Sequence, residues 1–99
     1  MAYLVVTIKQ ILDQSAFDEY AERVRPILKQ YGGRWVAIEP QHEIRAGAWP
    51  YVRTVLVEFP SMEQAKQWYD SPEYREIIPL RQRAIAANIV MVRSLSEKE

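Results

Sequence analysis

Two stretches of this chain, Tyr3–Lys9 (YLVVTIK) and Ala87–Arg93 (ANIVMVR), carry apolar side chains on both parities of an extended backbone. In the first, Tyr3, Val5 and Thr7 oppose Leu4, Val6 and Ile8; in the second, Ile89 and Met91 oppose Val90 and Val92. Successive side chains of a strand point to opposite faces of its sheet, so a sheet with one wet face alternates apolar with polar residues. These two strands do not, and they need cover on both sides. Whatever else the chain forms must supply that cover.

The intervening sequence supplies helices for one side. Asp13 and Ser15 compete as the cap of a helix on which Phe17, Tyr20, Ala21, Val24, Ile27, Leu28 and Tyr31 recur at three- and four-residue spacings. Gly32-Gly33 stops it, and Pro26 should bend it about a turn earlier. Arg34–Glu39 (RWVAIE) reads as a strand closed by Pro40, and Val52–Phe59 as another, reached through a polar connection and an Ala46-Gly47-Ala48-Trp49-Pro50 turn. Ser61 with Gln64 three residues on forms a capping box for a helix over 62–69. Ser71-Pro72 is a second start, whose helix turns Tyr74, Ile77 and Ile78 inward and is interrupted at Pro79. The last strand, 87–93, closes a single domain, and residues 94–99 are expected to fray.

The order strand, helix, strand, strand, helix pair, strand is the split βαβ arrangement of a ferredoxin-like α+β fold, βαββαβ, with a four-stranded antiparallel sheet. Its helices lie on one face only. The cheapest cover for the other face is a second copy of the chain, an isologous dimer paired sheet to sheet. Burial of an apolar side chain contributes about 1.5 to 3 kcal/mol, so a handful suffices to hold it.

Composition narrows the partners. The 99 residues include 13 basic and 13 acidic side chains, a formal net charge of zero. Nucleic acid calls for a clustered basic surplus, and none is present. Absence of cysteine removes disulfides, thiolate metal sites and a thiol nucleophile, and one histidine, His42, cannot build a metal cluster. No metal or cofactor is expected. The opening MAYLVVTIK is too short to span a membrane and has no basic n-region, which places the expected protein in the cytoplasm, away from membranes.

YGG at 31–33, EIRAGAW at 43–49, EFPSMEQAKQWYDSPEY at 58–74 and LRQRA at 80–84, in this order and spacing, resemble the domain of unknown function family 1330. The similarity runs from the first strand to the last. It implies membership of the dimeric α+β barrel superfamily, whose ferredoxin-like chains pair sheet to sheet. That superfamily includes cofactor-free monooxygenases, isomerases, lyases, haem-dependent enzymes and proteins with no known chemistry, so a reaction has to be argued from the site.

Candidate site residues each carry a structural alternative. Glu58 shares a face with Thr54 and Leu56; among apolar neighbours it could act as a general base, and at a strand end it could equally be paired with an arginine. Arg81 and Arg83 could receive a carboxylate or enolate through the guanidinium fork or tie a helix to a neighbour, with Arg81 the one turned inward. Trp68 and Tyr69 at a helix end, with Trp35 and Trp49, suit the wall of a cleft for a planar ligand, or the core. Tyr20 and Tyr74 bring phenols to buried stripes, and the Tyr20 hydroxyl needs a partner, either Glu58 or a backbone carbonyl. His42 lies in PQHEIR as a solvated loop histidine; haem ligation by it has no other support. The expected function is a small homodimer with a sheet-to-helix pocket for a small organic molecule, bound by Tyr20, Trp68, Tyr74 and Arg81, with Glu58 as the catalytic candidate. A cofactor-free monooxygenase or isomerase and a non-catalytic assembly module are the alternatives.

Overall fold

A computed structural model describes residues 1–39 and 42–95. Seven elements follow in order: β1 (Ala2–Ile11), α1 (Gln14–Gln30), β2 (Arg34–Glu39), β3 (Arg53–Phe59), α2 (Met62–Asp70), α3 (Pro72–Ala84) and β4 (Ile85–Arg93). The four strands make one antiparallel sheet in the order β2-β3-β1-β4, which is the expected ferredoxin-like topology. Among the described residues no helix is long and apolar enough to cross a membrane.

The caps act where side-chain chemistry puts them. Asp13, not Ser15, starts α1, its carboxylate accepting the Ala16 amide at 3.0 Å. Gly32 ends α1 at φ 85°, a conformation that favours glycine, and a Cβ on Gly33 would come within 3.1 Å of the Phe59 ring. Ser61 caps α2 through the Gln64 amide at 3.1 Å. Ser71 serves two helices, donating to the Trp68 carbonyl at 2.7 Å and accepting the Tyr74 amide at 3.1 Å.

The expected interruption at Pro79 does not occur: α3 runs through it to Ala84, and Ile85 passes directly into β4, two residues earlier than expected. Proline removes one donor, to the carbonyl four residues back, which is that of Arg75. Pro79 and Arg75 are both exposed, so water can satisfy that carbonyl. Arg81 therefore stands on the helix itself, seven residues and two turns beyond Tyr74. Pro26 is likewise accommodated within α1.

The helices cover one face. Leu4, Val55, Val57 and Phe59 pack there against Val24, Leu28, Ala65, Trp68, Tyr74 and Ile77, with Ile8, Ala16, Leu80, Ala84 and Ile85 forming an adjoining cluster. On the opposite face the register aligns Ala37, Leu56, Val5 and Val90 in a row across all four strands. Among the described residues no helix covers this row, and Val90 and Val92 are 53% and 45% exposed, while the 42–49 connection borders a hollow over Ala37 and Leu56. Polar pairs flank it: the Asn88 amide donates to Thr7 Oγ1 at 3.2 Å, and Arg34 pairs with Glu58.

In β2 the pairing slips between Trp35 and Ala37, so Val36 opposes no residue of β3. Trp35 and Ile38 pair with Val57 and Val55, whereas Arg34, Ala37 and Glu39 pair with Glu58, Leu56 and Thr54. The Ser94 amide bonds the Met1 carbonyl at 2.9 Å, which fastens the start of the stretch expected to fray. Its remainder, 96–99, lies outside the described residues, as does the Pro40 expected to close β2.

Candidate ligand-binding site

Three helical stripes converge between sheet and helices. α1 brings Tyr20 inward, α3 brings Tyr74 and Arg81 on one face, and the end of α2 brings Trp68 and Tyr69. The Tyr20 and Tyr74 hydroxyls lie 2.8 Å apart. The Arg81 Nη1 donates to the Tyr74 hydroxyl at 3.0 Å and to the Tyr69 hydroxyl at 3.2 Å, with its guanidinium 5.7 and 5.9 Å from the Tyr69 and Tyr74 ring centres. The Trp68 and Tyr74 ring centres are 4.2 Å apart. Tyr20, Trp68, Tyr74 and Arg81 are thus brought together, and Tyr69 joins them.

Beside this cluster lies a cavity of about 180 Å³. Tyr20, Trp68 and Arg81 contribute to its wall, Leu4, Val57 and Ile89 to its floor on the sheet, and Trp35 and Ile38 of the edge strand β2 to its rim. Trp68 is 1% exposed, yet its Nε1 has no hydrogen-bond partner. A buried donor without an acceptor costs about 1 to 3 kcal/mol. Arg25 and Arg53 also line the cavity. Neither was singled out from the sequence, although Arg53 shares strand parity with Val55, Val57 and Phe59, a signal that it faces the helices.

Burial raises the pKa of Tyr20 above the ordinary phenol range, reinforced by Tyr74, and burial likewise raises that of Tyr74. Burial opposes the charge of Arg81, but its hydrogen bonds to Tyr69 and Tyr74 outweigh that and raise its pKa. A phenol whose folded pKa exceeds its unfolded value, about 10, keeps its proton in the folded chain after the unfolded chain has lost it. Stability is therefore complete below pH ~10 and falls as pH rises above it. Urea midpoints measured from pH 8 to 11 should drop at the alkaline end, and Tyr20→Phe should flatten the drop; a midpoint indifferent to the substitution would place the Tyr20 phenol in water.

Glu58 is not part of this cluster. It shares β3 parity with Thr54 and Leu56 and so stands on the uncovered face, across from Tyr3 and paired with Arg34, whose own pKa is raised by that hydrogen bond and charge. The expected partners of the Tyr20 hydroxyl, Glu58 or a backbone carbonyl, are replaced by Tyr74. Trp49 turns away from the cavity, donating from Nε1 to Thr54 Oγ1 at 3.0 Å. His42 is half-buried instead of solvated, edge-on to Trp49 at 6.4 Å, and its Nδ1 has no partner among the described residues. Arg83 is exposed.

Solved structures share this fold. A protein of unknown function from Rhodopseudomonas palustris aligns with a TM-score of 0.77 at 17% identity, covering 95% of this chain and 82% of that one. A dimeric ferredoxin-like protein of unknown function from Jannaschia sp. CCS1 aligns at 0.63 and 13% identity, covering 94% and 98%. A protein from Nitrosomonas europaea, provisionally described as an antibiotic biosynthesis monooxygenase, aligns at 0.57 and 13% identity, covering 96% and 99%. Comparison with curated proteins finds no match. The family model for the domain of unknown function DUF1330 matches residues 1–95, nearly the whole described chain, and the protein belongs to that family.

Proposed function

We propose that the protein is a homodimer, paired sheet to sheet, each subunit of which binds one small organic molecule between its sheet and its helices. The observation that carries this reading is a cavity of about 180 Å³ between sheet and helices whose largely apolar wall holds the Tyr20 phenol and the Arg81 guanidinium. A few convergent polar groups in an apolar pocket are what orient a small ligand. Tyr20 and Arg81 supply the polar contacts, and Tyr74, behind the wall, holds both through its hydroxyl. The apolar row Ala37, Leu56, Val5 and Val90 supports the dimer, and the Jannaschia relative is described as dimeric. Glu58 enters on the face the partner covers, where Arg34 keeps its carboxylate paired. Binding is preferred to catalysis because this carboxylate, the candidate base, stands across the sheet from the cavity.

Native mass spectrometry of the protein alone and with a pool of quinones, phenols and small carboxylic acids tests both parts. A dimer retaining one molecule per subunit is expected. Tyr20→Phe, which deletes a phenol hydroxyl beside the cavity and keeps a ring, should weaken retention about 3- to 10-fold, the worth of one hydrogen bond. A dimer that retains nothing would point to an assembly module, and a monomer would overturn the sheet pairing.

A further inference from the structure

The cavity has a one-sided charge. Arg25, Arg53 and Arg81 line it, and among the described residues no aspartate or glutamate does, although the chain as a whole balances 13 basic against 13 acidic residues. Arg81 is the most constrained of the three. It is half-buried, and the hydrogen-bond partners it has are the neutral phenols of Tyr69 and Tyr74. A guanidinium partly withdrawn from water beside neutral oxygens has no opposite charge among its hydrogen-bond partners. Arg81 and Trp68 both adjoin Tyr74, the one at its hydroxyl and the other at its ring. A ligand that satisfies Arg81 presents acceptors and negative charge at that end.

The rest of the wall fixes the remainder of the molecule. Leu4, Val6, Ile8, Val55, Val57 and Ile89 offer nothing polar. The volume is about 180 Å³, and an apolar cavity of about 150 Å³ accommodates benzene. One ring with a small substituent fits; a nucleotide, a long acyl chain or a fused polycycle does not. A free inorganic anion would leave the apolar wall dry and unfilled. Aromatic side chains at Phe17, Tyr20, Trp35 and Trp68 favour a flat body over a branched aliphatic one.

We propose that this cavity takes a single-ring aromatic carboxylate, its carboxylate held by Arg81 and its ring lying between β1, β3 and the helices. The proposal rests on the cavity being a binding site, and the probes separate the two. Calorimetric titration of the intact protein at pH 7 with benzoate, benzamide, toluene and acetate is the test. Benzoate should bind at least about 10-fold more tightly than benzamide, the lower end for a hydrogen bond to a charged group, and acetate, lacking the ring, should not bind. Arg81→Met should lose the preference for benzoate while keeping toluene. Benzamide or toluene binding as well as benzoate in the unaltered protein would overturn the carboxylate and leave the cavity standing. No binding by any probe would overturn both. The benzoate-to-benzamide ratio needs no substitution, so it decides the matter even if Arg81→Met does not fold.

Discussion

Val90→Asp is expected to turn the proposed dimer into a folded monomer. Val90 is 53% exposed in the single chain and sits in the row with Ala37, Leu56 and Val5. In an isolated subunit a carboxylate there meets water and costs little. Against a partner sheet it would be buried without a counter-charge, a penalty of several kcal/mol. At about 1.4 kcal/mol per tenfold change in dissociation constant, that is two orders of magnitude or more. Light scattering coupled to size exclusion should give half the mass of the unaltered protein, with an unchanged far-ultraviolet circular dichroism spectrum. A dimer that survives this substitution would mean that the uncovered face is not the interface.

Trp68→Ala should have the largest effect on stability. The ring is 1% exposed and packs on Phe59 at 5.7 Å, Tyr69 at 5.8 Å and Tyr74 at 4.2 Å between ring centres. Truncation of a buried tryptophan costs about 3 to 5 kcal/mol, from lost burial and from the void left behind. Domains of this size have total stabilities of about 5 to 15 kcal/mol, and each kcal/mol moves the midpoint by about 4 to 8 °C. A fall of at least ~12 °C follows, measured at equal subunit concentration because association also shifts the midpoint. Trp68→Phe should fall much less, since it keeps a ring and removes an unpaired donor. A fall of only a few degrees in Trp68→Ala would show that the ring packing described for Trp68 contributes little.

Much of this was legible in the sequence because the governing physics is local. Ser61 and Ser71 cap the helices they announce, and the doubled apolar parity of residues 3–8 and 89–92 reports a sheet with an uncovered face. The gathering of Tyr20, Trp68, Tyr74 and Arg81 followed from helical spacing. Glu58 was misplaced relative to them for a traceable reason. On β1 both parities are apolar and neither marks the helix side, but on β3 Val55, Val57 and Phe59 mark it clearly, and Glu58 has the other parity. Pro79 was illegible for a different reason: whether proline breaks a helix depends on where the orphaned carbonyl points, and that is settled only by how α3 lies on its neighbours. The slip at Val36 has no glycine beside it to announce it, and it is fixed by what β3 presents.

That slip makes β2 a strand of two phases. Before Val36 the even residue, Arg34, lies on the uncovered side; after it the odd residues, Ala37 and Glu39, do. One edge strand thereby sends Trp35 and Ile38, three positions apart, to the rim of the cavity and still delivers Arg34 to Glu58. A strictly alternating strand would have to surrender one of these. The two sides of the sheet are consequently tied through the length of a six-residue segment: loss of a single position would dislocate the cavity rim or the ion pair.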